Sequence, residues 1–205
     1  TRPTSGSLAE RFRIASNGSV TIGKTSNQGK GLEIYQNADA ALRIQNSTTG
    51  TGANDGLLLE AGASQALVWN YESTPLKFGT AGTERLQIDS VGRLLLGTNA
   101  SQTIGSNSHG LSQICVTQNQ PALTLARFEN VAAGPSLILG KSRASSVGSY
   151  TVVQNDDVLG NISFAGADGT DLVTVGANIS AEVDGTPGSN DMPGRLVFST
   201  TADGA

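Results

Sequence analysis

Apolar and polar residues alternate with a period of two over many short stretches of the chain. Segment 10–23 shows the pattern as two alternating runs on either side of Asn17-Gly18. Its apolar positions are Phe12, Ile14, Val20 and Ile22. Alternation of this period is typical of β-strands with one buried face, and Asn-Gly is a favoured turn between two such strands. Segment 10–23 is therefore predicted to be a β-hairpin.

The hairpin pattern occurs twice. Segment 84–97 follows segment 10–23 at an offset of 74 residues, and both match E-R-Φ-x-I-x-S-x-G-x-Φ-x-Φ-G, in which Φ is apolar. The apolar positions of the second copy are Leu86, Ile88, Leu94 and Leu96. The motif also fixes turn glycines at equivalent positions of the two copies: Gly18, Gly23, Gly92 and Gly97. Agreement over so long a motif indicates an internal repeat.

A weaker echo follows each hairpin. It relates ALRI at 41–44 to ALTL at 122–125, and DGLLL at 55–59 to PSLIL at 135–139, with a spacing near 81 residues. A further sign of repetition lies near the end of the sequence, where segment 193–204 matches segment 75–83 in residue type. In the earlier copy this stretch leads into a hairpin, so we expect the sequence to be cut at both ends from a longer repeating polypeptide.

The pattern predicts an all-β chain without a significant helix. Further strands are predicted at 32–35, 42–45, 66–71, 76–78, 113–117, 137–140, 161–165, 173–183 and 195–200. The predicted organisation is a first hairpin repeat at 1–30, a β-rich module at 31–82, a second hairpin repeat at 83–100, a second β-rich module at 101–192 and the truncated start of a third repeat at 193–205.

Each predicted hairpin needs partners, because two strands with about four apolar side chains on one face are marginal in water. Leu, Ile, Val and Phe make up only about 23% of the 205 residues, which is little for one large core. Three identical chains around an axis would bury these stripes together and cover the strand edges. We therefore predict an elongated homotrimer, with the eight apolar hairpin positions as trimer-core candidates.

The two Glu-Arg pairs that open the hairpins are Glu10-Arg11 and Glu84-Arg85. Each is a candidate ion pair that fixes the register between chains, or a solvated pair of small energetic value.

Composition excludes several function classes. The net charge is −4 and the basic residues are scattered, so no nucleic-acid partner is expected. The longest apolar runs are far shorter than the ~20 residues of a membrane helix, so no membrane insertion is expected. The single His109 and single Cys115 cannot form the usual structural zinc sites, and Cys115 is predicted to be a small buried hydrophobe in a strand.

No catalytic constellation is recognisable, so we expect no enzyme, no cofactor and no metal. Segment 166–172 resembles half of a calcium-binding β-roll repeat but does not recur in tandem. Carboxylate pairs could in principle cleave polysaccharide, and the candidates are Asp156/Asp157, Asp168/Asp171 and Glu182/Asp184. Surface solvation is favoured for them. Trp69 and Tyr71 could form a sugar-stacking platform, but core packing is favoured because Leu67 shares their strand face.

Three sequence features carry a family resemblance. The hairpin repeats at 10–23 and 84–97, with the stretch at 75–83 and the ending at 194–205, resemble the repeat modules of phage tail fibres and related virion appendages. Modules of this type often precede an endosialidase-type intramolecular chaperone. The resemblance implies an extracellular, homotrimeric shaft with small β-sandwich or β-prism units between hairpin segments.

The resemblance also implies a role. The shaft would hold and extend a host-recognition tip, and its partners would be other copies of itself, other virion tail proteins and a host-surface glycan or protein. Two alternatives are left open. One is a receptor-binding or glycan-binding module, or a polysaccharide depolymerase, of a tail spike. The other is a capsid decoration fibre or the stalk of a bacterial adhesin.

Overall fold

The computed structural model describes residues 11–24, 30–105, 109–117, 119 and 121–204. These residues form four small β-sheets and no helix, which confirms the predicted all-β class. The strands are β1 (Phe12–Ile14), β2 (Val20–Ile22), β3 (Leu32–Ile34), β4 (Ala40–Ile44), β5 (Leu57–Ala61), β6 (Ala66–Asn70), β7 (Leu76–Thr80), β8 (Thr83–Ile88), β9 (Leu94–Leu96), β10 (Ser112–Ile114), β11 (Val158–Ala165), β12 (Val175–Val183) and β13 (Gly194–Thr200).

The chain divides into two units, Thr1–Leu76 and Lys77–Ala205. The first unit contains the sheets β1-β2-β3 and β4-β5-β6. The second contains the antiparallel sheet β11-β12-β13 and a sheet in the order β10-β9-β8-β7, whose strand β7 begins on the last residue of the first unit. Strand β13 lies in the segment predicted to start a third repeat, and it pairs along its whole length with β12.

Both predicted hairpins are present. Strands β1 and β2 are antiparallel with Phe12 opposite Ile22, and β8 and β9 are antiparallel with Leu86 opposite Leu96. Each turn ends on a glycine in the left-handed region, Gly18 at φ +81° and Gly92 at +87°. A three-residue loop with glycine in this position is a common hairpin connection, because only glycine adopts that backbone conformation without strain.

A third strand extends each hairpin. The sequence predicted strands at 32–35 and 113–117, but not their pairing with the hairpins. Strand β3 pairs in parallel with β2, and β10 pairs in parallel with β9. Equivalent hydrogen bonds join the end of the third strand to the second strand in both copies. The amide of Tyr35 donates to the carbonyl of Ile22, and the amide of Cys115 donates to the carbonyl of Leu96. The repeating unit is therefore a three-stranded mixed sheet rather than a hairpin alone.

Gly23 and Gly97 explain why the motif ends on glycine. Both have a positive φ, +82° and +76°. A Cβ added at Gly23 would overlap the carbonyl oxygen of Tyr35, and one added at Gly97 would overlap the carbonyl oxygen of Cys115. The glycine thus allows the parallel third strand to approach the end of the second strand.

Two regions differ from the predicted strands. Thr80 and Thr83 are joined by Ala81-Gly82, with both φ angles positive, so the stretch leading into the second repeat is itself a tight hairpin between β7 and β8. In contrast, residues 137–140, predicted as a strand, pair with no strand among the residues that the structure describes. The remaining predicted strands each overlap an observed one.

Candidate assembly surface

The apolar positions of the first hairpin lie on one face of its sheet, and all but the half-buried Val20 are exposed. The register places Phe12 opposite Ile22 and Ile14 opposite Val20, and β3 adds Leu32 and Ile34 beside them. Residues that face each other across strands share one side of the sheet. Phe12 is 58% exposed, so the single chain leaves this apolar face largely uncovered.

The second hairpin repeats the arrangement. Leu86 lies opposite Leu96 and Ile88 opposite Leu94, and β10 adds Ile114 next to Leu96. Ile88 is 41% exposed. We name these two faces together the hairpin faces; their members are Phe12, Ile14, Val20, Ile22, Leu32, Ile34, Leu86, Ile88, Leu94, Leu96 and Ile114.

The chain covers the opposite side of the second hairpin by itself. Leu95 is fully buried, and Gln87 beside it is nearly so. Gln87 donates from Nε2 to the carbonyl oxygen of Asn99 at 2.9 Å, and Gln113 of β10 exchanges two hydrogen bonds with Gln102. The loop between β9 and β10 therefore covers this side. The apolar side of the second hairpin is the one that the described residues leave uncovered.

The other two sheets also have an uncovered apolar side. In β4-β5-β6, Leu42 lies opposite Leu59, which lies opposite Val68, and all three are exposed. In β11-β12-β13 the corresponding side carries Ile162, Phe164, Ile179, Leu196 and Phe198, of which all but Ile179 are strongly exposed. All four sheets thus have an apolar side that the described residues do not cover.

The Glu-Arg pairs do not form ion pairs within the second hairpin. Glu84 pairs with Lys77 of the neighbouring strand at 2.8 Å, and Arg85 donates to the hydroxyl of Thr80 at 3.2 Å. The carbonyl of Arg85 accepts a bond from Gly97, as that of Arg11 accepts one from Gly23. Glu10 lies outside the described residues.

The carboxylate candidates are engaged by arginines. Arg143 donates two 2.6 Å bonds to Asp157, and this contact holds the pKa of that buried carboxyl well below its usual range. Arg195 contacts Asp156 at 2.7 Å, Glu182 at 2.8 Å and Asp184 at 3.0 Å. The hydrogen bonds that the Arg195 guanidinium donates to these three carboxylates raise its pKa further above the normal value, and the bond to Asp156 contributes most.

Asp168 and Asp171 organise the turn before β12. The carboxylate of Asp168 accepts the amides of Thr170 and Asp171 and the hydroxyl of Thr174, and the backbone bond from Thr170 is the main cause of its lowered pKa. Asp171 accepts the amide of Val173. The carboxylate oxygens of Asp168 and Asp171 therefore stabilise the backbone of this turn.

His109 and Cys115 lie in the second unit. His109 is exposed, and its Nδ1 lies 3.1 Å from the hydroxyl of Ser101. Cys115 follows β10 and is half-buried beside an open cleft of about 970 Å³ that Ile104 and Leu172 also line. Among the described residues, neither forms a hydrogen bond or ion pair with a titratable side chain.

Trp69 and Tyr71 lie together on the side of β4-β5-β6 opposite the apolar one. Their ring centroids are 6.2 Å apart, and the Arg43 guanidinium lies 5.2 Å from the centre of the Tyr71 ring. Trp69 and Arg43 are the cross-strand neighbours of buried Leu58. Because Trp69 is still 51% exposed, the predicted core packing of this residue is wrong within a single chain.

No protein-family model matches the sequence, and no curated protein is significantly similar to it. In the described ranges, no helix has the length and apolar character to cross a bilayer. Those same ranges hold no group of three or more His, Cys, Asp or Glu side chains that could bind a metal ion. The resemblance to virion fibre modules stays a prediction.

Proposed function

We propose that this chain is a structural shaft segment of a homotrimeric phage tail fibre and positions a host-recognition tip. The observation that carries the proposal is the uncovered apolar side of every sheet in the described chain. Exposed apolar surface on this scale marks an interaction site. Since the repeats present equivalent apolar faces, a threefold arrangement of identical chains covers both with one set of contacts.

The surface area supports association. The chain exposes 15622 Å², whereas a compact protein of 20.9 kDa exposes about 9,000 Å² and two separate domains of half that mass expose about 11,000 Å² together. Among the described residues only four hydrophobic side chains are buried: Leu58, Leu95, Val153 and Val183. A chain with so small a core of its own gains stability from contacts with other chains, which help to offset the entropy of folding.

The electrostatics support a structural role. A polysaccharide-cleaving acid needs a raised pKa, so that it carries a proton near neutral pH. Asp157 and Asp168 have lowered pKa values, and Glu182 is paired with Arg195. The observed acids thus brace turns and strand ends, as a stalk requires.

Immunolabelling of virions tests this function. Antibodies raised against residues 77–204 should label the tail fibres of virions that carry this protein, in a regular position along each fibre. Labelling of the capsid instead would indicate a decoration fibre, and labelling of bacterial cell surfaces without phage would indicate an adhesin stalk. Either result would overturn the tail-fibre assignment.

A second function, glycan binding, is favoured by the exposed cluster of Trp69, Tyr71 and Arg43. Tryptophan and tyrosine combine an apolar ring with a polar group and are common at binding surfaces. The register places Trp69 and the apolar Val68 on opposite sides of β6, so a trimer that buries Val68 leaves Trp69 accessible. A glycan array on the trimer, compared with a Trp69→Ala trimer, tests this function; equal binding profiles would exclude the cluster as the site.

A further inference from the structure

Residues 121–140 form a stretch with strand-like sequence that pairs with no strand in the described part of the chain. The stretch, named here the unpaired segment, carries exposed apolar side chains throughout: Leu123, Leu125, Phe128, Val131, Leu137, Ile138 and Leu139. In its described backbone the only backbone hydrogen bond runs from the amide of Val131 to the carbonyl of Glu129. Extended backbone without partners normally pairs with another strand or with water.

The first copy of the same sequence pattern shows what this stretch lacks. ALRI at 41–44 and LLL at 57–59 pair as β4 and β5, with Leu42 opposite Leu59. The matching residues 122–125 and 137–139 form no such pair. Leu58, in the middle of β5, is 4% exposed, whereas its counterpart Ile138 is 84% exposed.

The loops that join the two stretches explain why the first copy pairs within the chain and the second does not. The loop between β4 and β5 reverses the chain with Gly50 and Gly56, both at positive φ. Asn46 and Asp55 stabilise it: the Asn46 side chain accepts the amides of Thr48 and Thr49, and Asp55 accepts the amide of Gly52 at 2.6 Å. Gly56 also donates its amide to a carboxylate oxygen of Glu72.

Residues 126–136 have no equivalent reversal. Their single glycine, Gly134, does not take a positive φ, and Pro135 follows it directly. The two candidate strands are therefore not brought together by their own connection. A strand that cannot close onto its own chain can close onto an identical neighbour, as in domain swapping and strand addition.

We propose that the unpaired segment forms its sheet between chains. Residues 122–125 of one copy pair with residues 137–139 of a second copy, in the register of β4 and β5, so that Leu123 faces Leu139 of the partner copy. The pairing supplies backbone partners for both stretches and covers Ile138. It also links each chain to the next around the assembly through backbone hydrogen bonds. The inference rests on the proposed homotrimer and adds a specific strand exchange to it.

Paired cysteines test the strand exchange. In a Cys115→Ala background, Leu123→Cys combined with Leu139→Cys places two thiols opposite each other, within the spacing that a disulfide spans. Mild oxidation of the assembled protein should give dimer and trimer bands on a non-reducing denaturing gel. Neither single-cysteine variant should give a trimer band. A double variant that yields only a monomer-sized, internally crosslinked band would overturn the inference, because the pairing would then lie within one chain.

Hydrogen exchange separates this inference from the trimer itself. On the assembled chain without substitutions, the amides of 123–125 and 137–139 should exchange at least tenfold more slowly than those of 130–133. Thr124→Pro, which removes a central donor, should weaken assembly at least tenfold, and Ala133→Pro should leave it unchanged. A trimer whose 121–140 amides all exchange rapidly would refute the exchange but keep the proposed function. A folded monomer would refute both.

Discussion

Ile88→Asp should prevent association of the chains while leaving the second hairpin's own buried side intact. Ile88 lies on the hairpin faces opposite Leu94, and its neighbour Gln87 points to the buried side with Leu95. The substitution therefore puts a carboxylate where the proposed trimer has its axis. Three such charges would meet there, one from each chain.

The loss of association free energy can be worked out from the exposed fraction of the Ile88 side chain. Fully burying an isoleucine side chain contributes about 1.5–3 kcal/mol. Ile88 leaves 41% of its surface exposed in the single chain, so covering that remainder contributes about 0.6–1.2 kcal/mol per chain, or about 2–4 kcal/mol per trimer. Burying unpaired carboxylates costs several kcal/mol each in addition. A total loss of at least about 5 kcal/mol lowers the association constant more than a thousandfold.

Sedimentation velocity at several concentrations measures this loss. The matched control is Val91→Asp, which adds the same charge to the turn of the same hairpin at a strongly exposed position. We expect the control to assemble like the unsubstituted chain and Ile88→Asp to sediment as smaller species with retained β-sheet circular dichroism. Ile14→Asp should behave in the same way in the first repeat. Unchanged assembly of both strand variants would show that the hairpin faces are turned to solvent.

Three further predictions concern single residues. Gly97→Ala should lower the free energy of unfolding more than Gly92→Ala does, because both glycines have positive φ but only a Cβ at position 97 would overlap a carbonyl oxygen. Urea unfolding should show a loss of about 1–2 kcal/mol for Gly92→Ala and a larger loss for Gly97→Ala. Equal losses would contradict the close approach of the third strand to Gly97. Asp157 has a lowered pKa, so its stabilisation is present above its unfolded pKa of about 4 and is lost as pH falls below it. Asp157→Asn should therefore lose less stability between pH 7 and pH 3 than the unsubstituted chain, and parallel pH profiles would argue against the Arg143 contact. Glu84→Gln should change the unfolding free energy by less than about 1 kcal/mol, because its partner Lys77 is half exposed and water screens the pair. A larger loss would mean that Glu84 fixes the register between chains.

Alternation predicted the hairpins because each strand there has one apolar and one polar side. The pairs Phe12 with Ile22 and Leu86 with Leu96 follow directly from it. The parallel third strands were not predicted as part of the repeat, because LEI at 32–34 and SQI at 112–114 share only their last residue. Only the glycine that ends each motif carries a signal for them, through the close approach at Gly23 and Gly97.

The candidate site was predicted in part. The eight hairpin positions were identified from sequence, but the equivalent sides of β4-β5-β6 and β11-β12-β13 were not. Their apolar residues, such as Leu59 and Phe198, become recognisable as one side only once the register is known. The ion pairs of Arg195 join residues up to 39 positions apart, and no local pattern indicates contacts over that distance.

The central claim is that identical chains cover each other's apolar sheet faces. Sedimentation equilibrium of the unsubstituted chain tests it most directly, because the method gives the molar mass of the folded species independently of shape. We expect a molar mass three times the 20.9 kDa of one chain, retained down to the lowest measurable concentration. A folded species with the mass of a single chain would contradict it.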